Sequence, residues 1–325
     1  MKRYLLFISY IGTQFRAVQK QVVHAEGIKP DPDSIQGILE ICCRRFNPVN
    51  EPYVYVSSRT DQGVHALRSS AHVDLEPKGR LQYTPEYLTV GFNRYFAKAK
   101  LDLRVQSAHI VPDTFHARHN VVSRTYLYRL AVRNPNAPPI NSSGQADIPF
   151  LEWNRCHFIP MVDQFDVSLM KDAAALFPGT RDFRTFMNSK ATLRDIPTVR
   201  QLFKLNITPG SPLLGSHFDP YCSHYTFWNI TCQSKSFLYR QVRRIVGALI
   251  AVAKGHISVE EVRYMLENPS KDSWNNKIVV VPPHGLYLVD VEYDPLDMVM
   301  PQETNEDHQQ NLSGSELSVS CEVAS

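Results

Sequence analysis

The residues most able to do chemistry lie in a short polar stretch, residues 57–66, which reads SSRTDQGVHA. Its one carboxylate, Asp61, stands between Arg59 and Gly63. A positioned, ionised carboxylate can act as a nucleophile or as a general base, and a neighbouring arginine favours the ionised form. The same residues also suit a structural Asx turn, in which Asp61 bonds backbone amides and Gly63 takes a positive φ. On residue types alone, both interpretations stay open.

A second group of charged residues falls on a predicted helix over residues 237–253. At about 100° per residue, one sector is apolar and contains Leu238, Val242, Ile245, Val246, Leu249 and Ala253, with Tyr239 and Ile250 at its edge. Arg243 lies at the boundary of this sector, where a half-buried arginine is suited to clamp a carboxylate or a phosphate. Arg240 and Arg244 lie further round, and we expect them to be solvated or to contact a nucleic-acid backbone.

The charge distribution indicates a polyanionic partner. The chain has 325 residues and a net charge of +3, but the last 24 residues carry five acids and no Lys or Arg, which leaves the body at +8. The six cysteines form no CxxC pair and show no metal-ligand spacing with histidine. This pattern favours free thiols in a reducing compartment over disulfides or a zinc site. No apolar stretch reaches the roughly 18 residues that a membrane span needs, and no signal-peptide cleavage pattern follows the N-terminus.

Strands and helices are predicted to alternate along the chain. Hydrophobic periodicity predicts strands near 4–10, 53–57, 70–75, 103–110, 124–132, 199–208, 225–234 and 286–293. Helices are predicted after Asp33, whose capping-box partner would be Gln36, and after Thr84-Pro85 to about Ala97. Further helices are predicted from about Asp166 to Phe177, over 237–253, and after Ser258, which has Glu261 three residues on. There is no GxGxxG and no P-loop sequence, so the order indicates an α+β protein without a nucleotide-binding loop.

The predicted organisation has two lobes. Residues 1–135 form an N-terminal lobe that carries the Asp61 loop, and residues 146–295 form a C-terminal lobe. A Pro- and Asn-rich stretch makes 136–145 the best linker candidate. Residues 296–325, acidic and without apolar periodicity, are predicted to be a disordered tail.

Several separate stretches resemble one protein family. The RTDQGVH sequence at residues 59–65 resembles the signature loop of the TruA family of pseudouridine synthases. FHAR at 115–118, RTYLY at 124–128, GTRDF at 179–183, FLYRQVRRIVG at 237–247 and GLYL at 285–288 resemble further segments of that family, in the same order. RTYLYRL and SFLYRQVRR look closest to the eukaryotic branch called tRNA pseudouridine synthase-like 1. The chain departs from the family after the first strand, where it has Ala17-Val18-Gln19 in place of Gly-Trp-Gln.

The resemblance implies roles for particular residues. Asp61 would be the catalytic carboxylate, as nucleophile or as general base, and Arg59 or Arg243 would hold it ionised. Tyr126 matches the tyrosine that stacks on the flipped target base, although Tyr126 and Tyr128 also share one strand face and would suit a core. His65 would either contact RNA or stabilise its turn.

Arg118, which precedes the tyrosine strand, would face a phosphate or be structural. The reaction is an isomerisation, so no cofactor and no metal are expected.

The resemblance also implies a fold and a partner. We expect an α+β architecture of two similar lobes that form one continuous antiparallel sheet, with helices packed behind and a catalytic cleft between the lobes. We expect an RNA pseudouridine synthase that acts on uridines, most naturally in tRNA, as a possible homodimer. The compartment would be mitochondrial, by resemblance, or cytoplasmic, and the protein would not be secreted. The alternative from another class is a catalytically silent RNA-binding or assembly protein of the same fold.

Overall fold

The computed structural model describes residues 1–20, 31–79, 82–138, 147–160, 164–188 and 196–300. Within these ranges there are ten strands: β1 Lys2–Tyr10, β2 Val54–Val56, β3 His65–Leu75, β4 Leu103–Val111, β5 Val121–Arg133, β6 His157–Ile159, β7 Gly179–Asp182, β8 Val199–Pro209, β9 Tyr225–Ser234 and β10 Leu286–Tyr293. The same ranges contain five α-helices: α1 Ile35–Arg45, α2 Pro85–Lys98, α3 Val167–Ala174, α4 Gln241–Ala253 and α5 Val259–Glu267.

All ten strands belong to one sheet. Its main path runs β4-β1-β3-β10-β5-β9-β8-β7, with β2 paired to β3 and β6 paired to β5. Among the described strands, pairing is antiparallel except between β10 and β3 and between β5 and β6. The predicted α+β class with a continuous, mostly antiparallel sheet is confirmed. The last strand, β10, lies between β3 and β5 and so joins early and late parts of the chain.

The helices cover one face of this sheet. Alternate residues of β1, Tyr4, Leu6 and Ile8, belong to the main core cluster, and each of the five described helices adds buried apolar residues to it. Leu5 and Phe7 point to the opposite face, where they form a smaller cluster with Val111, Phe115 and Ala117. The alternation follows from the two-residue period of a strand.

The helix starts follow the predicted caps with one exception. Thr84 caps α2, and Ser258 with Glu261 forms a complete capping box on α5. The predicted Asp33–Gln36 box on α1 is wrong: Ser34 is the cap, and its Oγ accepts from Gly37 N at 3.1 Å. Gln36 turns inward instead, and its Nε2 donates to Val54 O at 3.0 Å. The Gln36 side chain therefore satisfies a buried carbonyl of β2 and is not available for a capping box.

The late helix begins later than predicted. α4 starts at Gln241 rather than at residue 237, and Arg240 precedes it with φ 59°, in the left-handed region. This region is unfavourable for a residue with a Cβ and costs on the order of 1 kcal/mol or more. The chain therefore turns sharply at Arg240, which changes the direction in which that side chain leaves the backbone.

The predicted linker and tail lie mostly outside the described residues. Residues 134–138 are described and form a turn, whereas 139–146 and 301–325 lie outside. Residues 296–300, which the prediction assigned to the tail, are described and contain part of a short 3₁₀ helix, Pro295–Met298. Met298 packs against the cluster of Leu5 and Phe7. In the described part of the chain, no helix has the length and apolar character that a membrane crossing requires.

Candidate active site

The Asp61 loop connects β2 to β3. Val64 N donates to Asp61 O at 3.1 Å and closes a tight turn, in which Gly63 has φ +81°. A side chain at position 63 would be strained by this backbone conformation and would also approach the ring of Pro283. The positive φ of Gly63 agrees with the Asx-turn interpretation, but its side-chain bond does not form: no backbone amide of the described residues donates to the Asp61 carboxylate, which points to Arg243 instead.

His65 supports the loop from beneath. Gly12 N donates to its Nδ1 at 3.0 Å, so its Nε2 carries the proton and donates to Asn154 O or His284 O, each at 3.0 Å. Burial lowers the pKa of His65 to about 4, which keeps the ring neutral. The side chain is completely buried, at 0% exposure, and offers RNA no surface. The geometry favours the structural alternative for His65.

Arg243 is bonded directly to Asp61. Its Nη1 donates to Asp61 Oδ2 at 2.7 Å, and its Nε donates to Val281 O at 2.8 Å, which fixes the guanidinium plane. The Arg243 side chain is 10% exposed and that of Asp61 is 19% exposed. A half-buried arginine at the apolar boundary of the helix is what the periodicity predicted, and the tertiary structure brings it to the carboxylate.

The other two arginines of this segment are placed differently from the helical projection, which turned both outward. Arg240, released from the helix by its left-handed backbone, brings Nε to 3.8 Å from Asp61 Oδ2. Arg244 lies over the ring of Trp274, 3.5 Å from its centroid, and its Nη2 donates to Thr185 O at 3.1 Å. Burial lowers the pKa of Arg244 to about 10. Arg244 is therefore only partly solvated, because a tryptophan distant in sequence packs against its guanidinium.

Arg124 is a supporting residue that the sequence reasoning did not single out. Its Nε donates to Ser58 Oγ at 2.8 Å and its Nη2 to Ser57 O at 2.7 Å, and a third bond reaches Lys235 O. The side chain therefore joins the Asp61 loop, β5 and the approach to α4. Arg124 lies two residues before Tyr126 and so on the same strand face, and this spacing could have identified it from the sequence.

Asp61, Arg243 and Tyr126 line one pocket, with a volume of about 730 Å³. Tyr126 is 8% exposed, and its ring meets Phe237 edge to face at 5.2 Å. Burial raises the pKa of Tyr126 to about 12, so the phenol stays neutral. Tyr128 is fully buried, and its hydroxyl donates to Pro282 O at 2.9 Å. The two tyrosines of the motif thus separate into a pocket residue and a core residue.

The rim of this pocket carries two further arginines. Arg59 and Arg118 line it and are exposed. Neither guanidinium forms an ion pair with a carboxylate among the residues that the structure describes. Burial and the nearby charge of Arg118 lower the pKa of Arg59. The pocket has one carboxylate at its base and guanidinium groups without ion pairs at its rim. It therefore suits a ligand that places an uncharged group in the pocket and anionic groups at the rim.

The described ranges contain no group of three His, Cys, Asp or Glu side chains able to hold a metal ion.

Comparison with known proteins agrees with this geometry. The chain is 36% identical to the human protein tRNA pseudouridine synthase-like 1 over 301 residues, covering 90% of this chain and 91% of the human one. It is 33% identical to the Xenopus laevis protein of the same name, covering 91% and 93% of the two chains. The chain belongs to the tRNA pseudouridine synthase family. Residues 173–294 also match the family model described as tRNA pseudouridine synthase.

A bacterial member, tRNA pseudouridine synthase A of Ruegeria sp., is 31% identical and covers 91% of this chain and 98% of its own. The resemblance to the TruA family and to its eukaryotic branch is confirmed. As a member of the tRNA pseudouridine synthase family, the protein is an enzyme of the isomerase class.

Proposed function

We propose that the protein converts uridines of tRNA to pseudouridine and that Asp61 is its catalytic carboxylate. The observation that carries this proposal is the placement of Asp61. An arginine holds it in the same pocket as a buried tyrosine, and the names of the relatives in this family point to tRNA.

The reaction needs only groups that the pocket supplies. The N1–C1′ bond of the nucleotide breaks, the base turns, and a C5–C1′ bond forms; C5 then loses its proton and N1 gains one. Nothing is oxidised and no water is consumed. Asp61 would either attack as a nucleophile or remove the 2′ proton of the sugar, and both roles require an ionised carboxylate.

Each neighbouring residue has a part in this scheme. Arg243 occupies Oδ2 of Asp61, and the other oxygen, Oδ1, accepts no hydrogen bond from any residue in the described ranges. Oδ1 is therefore the oxygen that faces the reacting atoms. The flipped base stacks against Tyr126, and Arg59, Arg118 and Arg240 attract the flanking phosphates. We expect activity to survive treatment with EDTA.

The alternative of a silent RNA-binding protein predicts a different result. Wild-type protein would then bind tRNA and form no product. A binding protein has no need of a carboxylate with one oxygen held free beside a stacking tyrosine, and this arrangement favours the enzyme.

The test uses unmodified tRNA transcripts and pseudouridine mapping at single-nucleotide resolution. Wild-type protein should form pseudouridine, and Asp61→Asn should abolish product while RNA affinity stays within a few-fold, because Asp61 supplies chemistry rather than binding energy. Asp172→Asn, a change at an exposed acid on α3, is the matched control and should keep full activity. Turnover by Asp61→Asn above a few per cent of wild type would remove Asp61 from this role.

Two finer expectations stay predictions: a homodimer, which size measurement in solution tests, and a mitochondrial or cytoplasmic location, which imaging of the full-length protein tests.

A further inference from the structure

An aromatic cluster lies beside the pocket at β2, the short strand that pairs with β3 off the main path of the sheet. We call it the tyrosine–histidine strip, and it consists of Tyr53, Tyr55, His116 and His119 with the buried His72 beneath them. The Tyr53 and Tyr55 rings meet at 4.6 Å, and the ring of Tyr55 stacks on His72 at 4.8 Å with an angle of 6°. His116 lies 5.5 Å from Tyr55 and 4.3 Å from His119. The five rings therefore form one connected series.

Burial does not explain the outer members of this series. In β2, Val54 is buried at 1% exposure, whereas Tyr55 and the preceding Tyr53 are each 43% exposed. Charged residues are the usual side chains where an unpaired side of a strand faces solvent. Two tyrosines that stay open to solvent, with one of them already stacked on a histidine, form a rigid aromatic platform.

The strip continues directly into the pocket rim. Arg118 lies between His116 and His119 in sequence and lines the pocket together with Arg59. Two carboxylates near the strip are engaged: Glu40 pairs with Lys20 at 2.9 Å, and Asp74 pairs with Arg3 at 2.7 Å. Lys20 also places its ammonium 4.6 Å from the centroid of Tyr53. Free positive charge and open aromatic rings thus follow one another along the surface.

We propose that the tyrosine–histidine strip binds the RNA strand next to the target uridine, with an unpaired base stacked on Tyr53 or Tyr55 and a phosphate held by Arg118. Aromatic rings alternating with cations bind single-stranded nucleic acid through base stacking and backbone charge, largely without sequence preference. The strip thereby extends the substrate contact beyond the flipped nucleotide. The inference rests on the proposed function, since it names the RNA of that site as the ligand.

The test compares Tyr53→Ala/Tyr55→Ala with wild type in titrations of a tRNA transcript. Binding is measured in an Asp61→Asn background so that turnover does not interfere. Loss of stacking should weaken affinity about tenfold or more, and in the Asp61-containing protein the loss should appear in KM rather than in kcat. Tyr53→Phe/Tyr55→Phe keeps the rings and should restore affinity. Tyr264→Ala, at a tyrosine of α5 that is 60% exposed, is the control for loss of a surface ring.

Salt dependence separates stacking from charge. The tyrosine variants should keep the wild-type salt slope, whereas Arg118→Gln should lower the slope by about one. Melting temperatures close to wild type show that β2 remains folded. Unchanged RNA affinity in the folded alanine double variant would overturn the proposal that the strip binds RNA. A loss of affinity that the phenylalanine variant also shows would overturn it as well. If wild type forms no pseudouridine, the proposed function fails, while the titrations still decide whether the strip binds RNA.

Discussion

Two arginine–carboxylate pairs of this molecule differ in how completely the carboxylate is bonded. In the Arg129–Glu152 pair, Nη1 and Nη2 donate to the two carboxylate oxygens at 2.6 and 3.0 Å, and Leu213 N donates to Oε1 as well. Glu152 is 1% exposed. In the Arg243–Asp61 pair, a single contact of 2.7 Å reaches one oxygen, and Asp61 lies at a pocket wall.

This difference assigns the Arg129–Glu152 pair to stability and the Arg243–Asp61 pair to chemistry. A carboxylate with both oxygens bonded and no access to solvent can only hold elements together, here β5 and the loops near residues 152 and 213. A carboxylate held by one oxygen is oriented while the other oxygen remains available to a ligand. Changes in the first pair should therefore lower stability, and changes in the second should lower turnover.

The largest expected effect is on stability. Arg129→Ala leaves Glu152 buried without its charge partner, and we expect it to lower the free energy of unfolding by about 3–5 kcal/mol. Chemical denaturation followed by circular dichroism measures this. Turnover per folded molecule should stay near wild type. If the Arg129→Ala variant were as stable as wild type, the comparison would fail, because the Arg129–Glu152 pair would then contribute nothing to stability.

Arg243→Ala tests the other half of the comparison. Asp61 loses its direct charge partner and its orientation, and a misplacement of about 1 Å can reduce a rate about 100-fold. We expect a loss of that order in single-turnover rate at saturating enzyme, with RNA affinity reduced far less. Arg243→Lys keeps the charge without the fork that also bonds Val281 O, so it should recover only part of the rate. If Arg243→Ala turns over normally but loses RNA affinity and shows a lower salt slope of binding, Arg243 does not orient Asp61. Arg59 would then be the better candidate for that role.

Arg244→Ala separates the two arginines that helix periodicity grouped together. Its guanidinium is stacked on Trp274 and partly desolvated, so its removal should cost about 1–2 kcal/mol of stability and leave RNA affinity unchanged. Thermal melts and titrations check both. Arg263→Ala, at an exposed arginine of α5, is the matched control. An affinity loss equal to that of Arg240→Ala would show that Arg244 reaches RNA after all.

The smallest expected effect is a loss of stability at acidic pH. Burial lowers the pKa of His65 and of His72 to about 4 in the folded protein, below the ordinary 6.5. Below pH 6.5 the unfolded chain binds protons that the folded chain does not, so stability is full above pH 6.5 and falls as the pH drops towards 4. We expect each histidine to contribute about 1 kcal/mol to this loss by about pH 5.8. Denaturation at a series of pH values measures it, and His65→Gln should flatten the profile.

Much of the candidate site was predictable because it is coded locally. The turn at Gly63 and the boundary position of Arg243 follow from neighbours a few residues away, and Tyr126 was marked by its motif. Eight of the ten described strands and most helix caps follow for the same reason. The short strands β6 and β7 were not predicted. Arg124 was missed because its bonds run to Ser57 and Ser58, more than 60 residues earlier in the chain.

By itself the sequence determined most elements of this protein, their order and the residues that could do chemistry, because period, capping and turn chemistry act over a few residues. Only the tertiary structure decided which charged groups meet. It placed β10 between β3 and β5, turned Arg240 towards Asp61 through a left-handed backbone, and stacked Arg244 on Trp274. These outcomes depend on contacts between residues far apart in the chain, and no local pattern records them.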